Sequence, residues 1–230
     1  MAASPSTQRP RRRASAQETR RRLMVAGRHA FAVKGLAGTN LKNHILVPAN
    51  VSVGSFYHQF RDKTELLLAI MEEYAQDFRA RLRETRRPEP GKTAHDIARD
   101  IYTVILDNVD ENPDLVRIQL RERGSDDERV RRSLRTARER WIASVAEDYQ
   151  DISKASGFEV EAHLLASLTV ALALGAMAQY LEAPSGERRE LRERLLDGLV
   201  RFSMGGIPAL VKPAEAVLPF EKFEPRNVDS

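Results

Sequence analysis

The chain has 230 residues, of which 42% are hydrophobic and 30% are charged, which is the balance of an ordinary soluble globular protein. It contains no cysteine, so the sequence excludes disulfides, thiolate metal sites and cysteine nucleophiles. The opening stretch MAASPSTQRPRRR lacks the apolar segment of a secretory signal, and we expect a cytoplasmic protein.

Positive charge is concentrated at the N-terminal end. Residues 1–63 contain 12 Lys and Arg but only two acids, Glu18 and Asp62, which gives a net charge of +10. Because the whole chain carries +4, the remainder carries −6. A basic unit joined to an acidic body suggests that a polyanion binds the N-terminal end alone. For the arginine cluster at 9–13, a basic solubility tail is the alternative interpretation.

The first predicted element is a helix that follows a basic arm. Residues 1–14 are rich in Pro, Ser and Arg and are predicted to be disordered. Ser15 and Glu18 form a capping box, which predicts that the first helix begins there. Apolar residues then recur at helical spacing until Gly35 ends the run.

Two short helices are predicted next. Thr39 can cap the second helix, and Pro48 limits its length because the residue before a proline avoids helical dihedral angles. Asn50 can adopt a left-handed turn conformation at low cost. Ser52 can then cap a third helix that reaches about Gln59.

A second capping box, Asp62 to Glu65, begins a long helix that is predicted to reach about Arg86. No strand pattern of useful length occurs anywhere in the chain. Four prolines after Gly205 predict an extended tail. The later helices are predicted over 93–110, 113–123, 126–155, 159–182 and 186–204.

The segment NVSVGSFYHQF, at 50–60, combines a turn residue, a cap, a glycine and several aromatic side chains. A helix-turn-helix places its second helix in the major groove of DNA. Ser52 would leave backbone amides directed at a phosphate, and Gly54 removes side-chain bulk where a backbone must approach DNA. Tyr57 and His58 can bond to phosphate oxygens. A short core helix is the alternative interpretation of this aromatic cluster.

The run from Thr19 through Leu67 resembles the DNA-binding domain of the TetR/AcrR family of transcriptional regulators. The stretches that carry the resemblance are TRRRLMVAGRHAFAVKG, GTN, the isoleucine at 45, ANVSVGSFYHQF and DKTELL. Three features depart from the family pattern: Asn50 replaces a usual Gly, Val53 replaces a common polar residue, and the second helix is one residue longer than expected.

The resemblance implies an all-α fold of about nine helices, in which a three-helix helix-turn-helix domain precedes a helical ligand-binding and dimerisation domain. The predicted ranges are a basic arm at 1–14, a DNA-binding domain at 15–62 with its helix-turn-helix at about 39–60, a helical body at 63–204 and a tail at 205–230.

The resemblance further implies a sequence-specific regulator, most simply a homodimeric repressor that a small lipophilic ligand releases from a palindromic operator. On the basis of their charge alone, arginines 9, 11, 12 and 13 are expected to act as a flexible arm in the minor groove. The expected DNA-binding residues are Arg20, Arg22, Thr39, Ser52, Val53, Gly54, Ser55, Tyr57, His58 and Lys63.

The apolar run at 162–181 is long enough to suggest a membrane span. His163 and Gln179 lie within it and acids flank it, so we predict no membrane partner. The resemblance implies a four-helix dimer interface built from the last two predicted helices, and a helix buried within a monomer is the alternative interpretation. The expected interface residues are Leu168, Ala171, Gly175, Ala178, Leu195 and Leu199.

The resemblance also implies a pocket between the central helices. Asn108 is a polar amide among apolar neighbours and needs a partner, which a ligand could supply. Sparse polar groups in an apolar cleft favour a lipophilic ligand, such as a fatty acyl compound or a hydrophobic drug. Plain core packing is the alternative for each expected lining residue, namely Tyr74, Phe78, Tyr102, Ile105, Asn108, Trp141, Val145 and Tyr149.

The sequence favours no catalytic activity. Its five histidines are scattered and form no metal-ligand spacing, and no glycine-rich phosphate loop follows a strand. We therefore predict no catalytic residue, metal or cofactor. The predicted partners are double-stranded DNA, a second copy of the chain and an unidentified small molecule. The alternative function is an architectural protein that coats DNA without sequence preference.

Overall fold

A computed structural model describes residues 8–86, 90–156 and 161–211 of the chain. Within these ranges the chain forms nine helices and no strand, which confirms the predicted all-α fold. The helices are α1 (Gln8–Gly38), α2 (Leu41–Leu46 continued by Val47–Ala49), α3 (Val53–Tyr57), α4 (Lys63–Thr85), α5 (Ala94–Glu111), α6 (Pro113–Arg121), α7 (Glu128–Ser156), α8 (Ala162–Glu182) and α9 (Arg188–Val211). A 3-10 turn, Glu122–Gly124, joins α6 to α7.

The first helix begins earlier than the sequence predicted. Because α1 starts at Gln8, the predicted disorder is wrong for residues 8–14, and Ser15 lies inside the helix rather than at its cap. Residues 1–7 of the predicted arm lie outside the described residues. The predicted break at Gly35 is confirmed, since its φ of 69° and ψ of 173° are not helical. The arginines at 11–13 are good helix formers, which favours a helix that extends through this run.

The second helix accommodates its extra residue in a π-helical turn. Asn40, not Thr39, is the cap, and its side chain accepts a hydrogen bond from the amide of Asn43. The amide of Val47 then reaches the carbonyl of Lys42, a bond that spans five residues instead of four. Pro48 lies in the first turn of the α-helical part, where proline is tolerated.

The turn after α2 has the conformation expected from the sequence. The helix ends at Ala49, and Asn50 follows with φ of 50° and ψ of 52° in the left-handed region. Asn50 has a positive φ although it is not a glycine, and asparagine tolerates that conformation better than most residues. The turn therefore sends the chain directly into α3.

The long helix α4 connects the two parts of the fold. Asp62 caps it by accepting the amide of Glu65 at 2.7 Å, as predicted. Its 23 residues span about 34 Å at 1.5 Å per residue. One end packs against α1 and the remainder packs against α5, α6 and α7. A stripe of buried side chains makes these contacts, namely Leu66, Leu67, Ile70, Met71, Tyr74, Phe78 and Leu82.

The apolar helix α8 packs against α5, α6, α7 and α9. Its length and composition would suffice for a membrane span, and 44% of its apolar window is buried within the protein. Contact with four other helices gives an account of this composition without a membrane. The last helix, α9, runs on to Val211, so the extended tail predicted from residue 205 is wrong as far as 211. The rest of that tail, 212–230, lies outside the described residues.

Candidate nucleic-acid interface and ligand cleft

The short helix α3 begins at a cap formed by Ser52. Its hydroxyl oxygen accepts the amide of Ser55 at 3.1 Å, and the two serine hydroxyls lie 2.9 Å apart. Such a cap contributes about 1 kcal/mol to helix stability. The helix was predicted to reach about Gln59 but ends at Tyr57, with His58 as its C-cap.

The side chains of α3 divide sharply between the core and the surface. Phe56 is fully buried and Phe60 is 2% exposed, so both phenylalanines anchor the segment as predicted. Val53 is 52% exposed and Tyr57 is 58% exposed, and the ring of Tyr57 meets that of Phe56 edge to face at 5.3 Å. Ser52, Gly54 and His58 are also exposed, and Ser55 is half-buried.

Gly54 has space around it within the protein. A Cβ added there would meet no atom within 4 Å. The packing of the chain therefore does not require a glycine at this position. The sequence suggested another reason for Gly54, which is that a glycine would let the backbone of α3 approach DNA closely.

Two arginines of α1 hold this segment in place. Arg22 donates to the carbonyl oxygens of Ala49 and Asn50, at the turn between α2 and α3. The guanidinium of Arg20 lies 4.5 Å from the centre of the Phe60 ring, a cation–π contact. Both arginines were expected to contact DNA phosphates. In this structure their guanidiniums are engaged within the domain, where they fix the position of α3.

Thr39 and Lys63 also lie in positions that disagree with the expected phosphate contacts. Thr39 is 3% exposed, and its hydroxyl donates to the carbonyl of Gly35 at 2.6 Å. The ammonium of Lys63 donates to the carbonyls of Leu36 at 2.7 Å and Thr39 at 2.9 Å. These groups complete the hydrogen bonds of the C-terminal end of α1, where the helix leaves carbonyls unpaired.

Residues 23–70 match the family model described as bacterial regulatory proteins of the tetR family. The match covers α1 from Leu23, all of α2 and α3, and the first turns of α4. This chain carries a TetR-family helix-turn-helix domain.

Several solved structures share this fold over most of the chain, and two of them are of TetR-family regulators. One from Syntrophomonas wolfei str. Goettingen is 19% identical, with a TM-score of 0.69 over 82% of this chain and 96% of that one. One from Streptomyces coelicolor is 20% identical, with a TM-score of 0.65 over 85% and 97%. The reduced form of NemR from E. coli is 23% identical, with a TM-score of 0.60 over 79% and 94%. These likenesses extend the agreement from the TetR-family domain to the helical body.

The TetR-family domain is joined to the body by a buried carboxylate that sequence reasoning missed. Glu122 is 5% exposed, and its Oε1 accepts the amide of Leu36 at 2.8 Å, just after the break at Gly35. Next to it, Arg121 donates to the carbonyl of Ala32 at 3.0 Å. In the sequence, the only hint of this contact is the glycine at position 35. The structure explains the glycine, because a Cβ added to Gly35 would lie 3.1 Å from the Glu122 carboxylate.

A second link lies at the start of α4. The Asp62 carboxylate accepts from Arg129 at 3.0 Å, and Thr64 donates to Asp127 at 2.9 Å. Burial raises the pKa of Asp62, but the Glu65 amide and Arg129 outweigh it and lower that pKa overall. The hydrogen bond from Arg129 lowers the pKa of Asp127 in the same way. Both carboxylates are therefore held in their charged form.

The candidate ligand cleft lies between α4, α6 and α7. Its apolar wall contains Tyr74, Phe78 and Trp141, three of the expected lining residues. The rings of Tyr74 and Phe78 stack at 6.1 Å, and Phe78 meets Trp141 edge to face at 5.3 Å. The cavity at these rings is only about 40 Å³. A wider groove of about 400 Å³ adjoins it along α4 and α7.

The remaining expected ligand residues belong to the core instead. Tyr102, Ile105 and Asn108 are at most 3% exposed and do not line the cleft. Asn108 finds its partner in the protein, since its amide donates to the Tyr74 hydroxyl at 2.7 Å. Burial raises the pKa of Tyr74 to about 12, so the phenol keeps its proton at neutral pH.

Tyr149 and Val145 also lie away from the cleft. The hydroxyls of Tyr149 and Thr169 lie 2.7 Å apart, which links α7 to α8. Val145 is half-buried against the core cluster. Among the residues that the structure describes, the expected ligand set therefore contributes three side chains to the cleft and five to packing.

The residues expected at a dimer surface differ in how exposed they are within one copy of the chain. Leu168, Ala171 and Gly175 form an exposed stripe on α8, and Leu168 is 52% exposed. Ala178 and Leu195 are half-buried. Leu199 is 5% exposed and packs within the chain, so its predicted place in the interface is wrong. On these two helices, the exposed large apolar residues that the sequence did not single out are Leu164 on α8 and Phe202 and Met204 on α9.

Proposed function

We propose that the chain is a sequence-specific transcriptional regulator that reads the major groove of DNA with α3. The observation that carries this proposal is the exposed edge of α3 within a TetR-family domain. Val53 and Tyr57 project from it, although large apolar and aromatic side chains are normally buried. The protein acts in the cytoplasm, where bacterial DNA is accessible to it.

Each exposed residue of α3 has a chemical role in this proposal. Val53 and Gly54 lie at the start of the helix, which is the part that faces base edges in a helix-turn-helix. Val53 offers an apolar contact to a thymine methyl group. Tyr57 and His58 bind phosphate oxygens and so set the orientation of the helix. Arg20 and Arg22 act indirectly, because they hold the segment that carries these side chains.

The regulator is a homodimer whose two copies of α3 enter successive major grooves of a palindromic operator. The exposed stripes of α8 and α9 form the contact between the copies. They contain Leu164, Leu168 and Ala171 on α8 and Phe202 on α9, together with Gly175, which allows close approach of a second helix. Such apolar area on one face is typical of a partner surface.

Replacement of Gly175 by Leu tests the dimer. A Cβ at Gly175 meets no atom within 4 Å, and leucine favours a helix more than glycine does, so the protomer should fold as well as before. The bulk should instead weaken self-association, measured by sedimentation at micromolar concentration. Gly198→Leu on α9 is a second test rather than a control, because Gly198 is also open and lies one helical turn before Phe202, so it should weaken self-association in the same way. A wild-type protein that sediments as a monomer would remove the homodimer from the proposal.

The protein is a repressor, and a small molecule in the cleft between α4 and α7 releases it by lowering its affinity for the operator. The position of α4 supports this proposal, because α4 joins the cleft to the DNA-binding domain. Tyr74 and Phe78 of α4 line the cleft, and Asp62 caps the N-terminal end of α4. A ligand that favours one position of α4 therefore biases the position of α3.

Selection of binding sites from random DNA duplexes tests the central proposal. A specific regulator should enrich one palindrome and prefer it to bulk DNA by about 10³-fold or more. Val53→Ala should relax the preference at one base pair in each half-site. Val33→Ala is the matched control, because Val33 is 56% exposed on α1. If no sequence is enriched, the protein is an architectural one that coats DNA.

A further inference from the structure

The π-helical turn at the start of α2 presents polar side chains that the protein itself leaves without partners. Lys42 and Asn43 are exposed, and His44 is half-buried. In the described part of the chain, the ammonium of Lys42, the side-chain amide of Asn43 and the Nε2 atom of His44 form no hydrogen bond or ion pair. Three polar groups on one turn are therefore available to a partner outside the chain.

The other nitrogen of the His44 ring is occupied and determines where the ring carries its proton. Nδ1 accepts the backbone amide of Asn40 at 2.9 Å, so Nδ1 carries no proton. In a neutral imidazole the proton then lies on Nε2, which makes Nε2 a donor. Asn40 in turn accepts the backbone amide of Asn43 at 3.0 Å. Because these backbone amides are already paired, side chains rather than the end of the helix would bind an anion here.

The extra residue of α2 produces this arrangement. In an ordinary capping box the side chain that reaches back to the cap lies three positions on, whereas His44 lies four positions after Asn40. The bond from the Val47 amide to the Lys42 carbonyl accommodates the difference, and Ile45 stays fully buried. The extra residue thus adds polar surface without disturbing the core. Such π-helical turns occur frequently at functional sites.

The surroundings of this turn are suited to a polyanion. The sequence contains no acidic residue over 38–61, a range that includes all of α2 and α3. Helix α2 packs against α3, and the first helix of a helix-turn-helix crosses the DNA backbone beside the groove that the second helix enters. A phosphate can therefore approach Lys42 without repulsion from a carboxylate of either helix.

The phosphate contacts that the sequence predicted are engaged within the domain instead. The Lys63 ammonium and the Thr39 hydroxyl bind carbonyls at the end of α1, and Arg22 binds the turn before α3. A helix-turn-helix depends on contacts with the DNA backbone to fix its register and orientation. The unpaired polar groups of the π-helical turn can supply such contacts.

We propose that the π-helical turn of α2 is a phosphate-binding site, in which Lys42, Asn43 and His44 bind the DNA backbone beside the groove read by α3. This inference rests on the proposed function, because it assigns backbone contacts of the same interface. Tyr57 and His58 hold the C-terminal end of α3, and the π-helical turn holds the helix before it. Phosphate contacts carry no sequence information, so this site acts on affinity for every DNA sequence alike.

Removal of one cation is the first test of the site. Lys42→Gln should raise the Kd for the selected operator and for a duplex of random sequence by a similar factor, about three- to tenfold. The slope of log Kd against log salt concentration should fall by about one for each protomer bound, because fewer counterions are released. Lys34→Gln is the matched control. It removes the same charge from an exposed position on α1, and it should change the slope much less.

Two substitutions of His44 separate DNA binding from capping. Asparagine has an acceptor near the position of Nδ1 but is too short to place a donor at the position of Nε2. His44→Asn should therefore keep the unfolding temperature of the wild type, while the Kd for both duplexes rises about three- to tenfold. His44→Ala also removes the acceptor of the Asn40 amide, so it should lower both the unfolding temperature and the affinity for DNA.

Three results would overturn this proposal: a salt dependence of Lys42→Gln equal to that of Lys34→Gln, a wild-type affinity in His44→Asn, or a stability loss in His44→Asn equal to that of His44→Ala. The last result would assign the imidazole to capping alone. The random duplex makes the test independent of any operator. If the wild type selects an operator and the variants bind as it does, this inference alone is wrong. A wild type that selects no operator contradicts the proposed function instead.

Discussion

The surface of α3 and the cleft between α4 and α7 differ in how they are built. The surface of α3 comes from one short segment, with Ser52 as cap and Phe56 as anchor, and its exposed side chains are already in place. The cleft is assembled from three helices that are distant in sequence, and its rings are closed upon one another. Under the proposed function, the surface of α3 is preorganised for DNA, whereas the cleft would have to open before a ligand could enter.

The largest expected effect is on the free energy of unfolding, and it distinguishes the buried anchor of α3 from its exposed edge. Phe56→Ala removes a fully buried ring and should lower the free energy of unfolding by about 3–5 kcal/mol. Tyr57→Ala removes an exposed neighbouring ring. It should leave the free energy of unfolding almost unchanged and should lower the affinity for the operator. Urea unfolding and DNA binding are measured for both. Similar stability losses in the two variants would contradict the division into anchor and edge.

The α3 segment was predictable because its structure is determined by residues that are close in sequence. Ser52 bonds the amide three residues on, and Asn50 supplies the left-handed turn by its own conformational preference. The extra residue before it was visible in the spacing. The sequence did not predict that a π-helical turn accommodates this residue. Such turns have no strong sequence signature and depend on the packing of Ile45 and Leu46.

The cleft was only partly predictable because helical spacing does not distinguish a lining residue from a core residue. Tyr74 and Tyr102 both lie on the buried stripes of their helices, yet only Tyr74 reaches the cleft. Glu122 was missed for a related reason. Its partner is a backbone amide 86 residues away, and no sequence pattern encodes such a contact.

The next effect concerns the connection between the two regions. Glu122→Ala leaves the Leu36 amide without its acceptor and should cost about 1–3 kcal/mol of unfolding free energy. The TetR-family domain should still bind DNA, but the ligand response should weaken because the turn after α6 no longer holds α1. Glu73→Ala is the control, an exposed glutamate of α4. An unchanged stability and ligand response in Glu122→Ala would show that this contact does not connect the regions.

The smallest effect is a pH dependence at the start of α4. The pKa values of Asp62 and Asp127 are lowered in the folded protein, so each carboxylate contributes stability above its unfolded pKa of about 3.9. That stability is lost as the pH falls below about 4 and passes through the lowered folded values. Asp127→Asn should therefore be less stable than the wild type at pH 7, and the difference should close in acid.

Thermal unfolding between neutral pH and about pH 3 measures this difference, with Asp77→Asn as a control that removes an exposed charge elsewhere on α4. The effect should be small because Asp127 is near the surface and solvent screens its pair with Arg129. If the stability difference between the wild type and Asp127→Asn grew as the pH fell, its sign would be wrong for a carboxylate with a lowered pKa. In that case the link at Thr64 and Arg129 would hold the two regions together by packing rather than by charge.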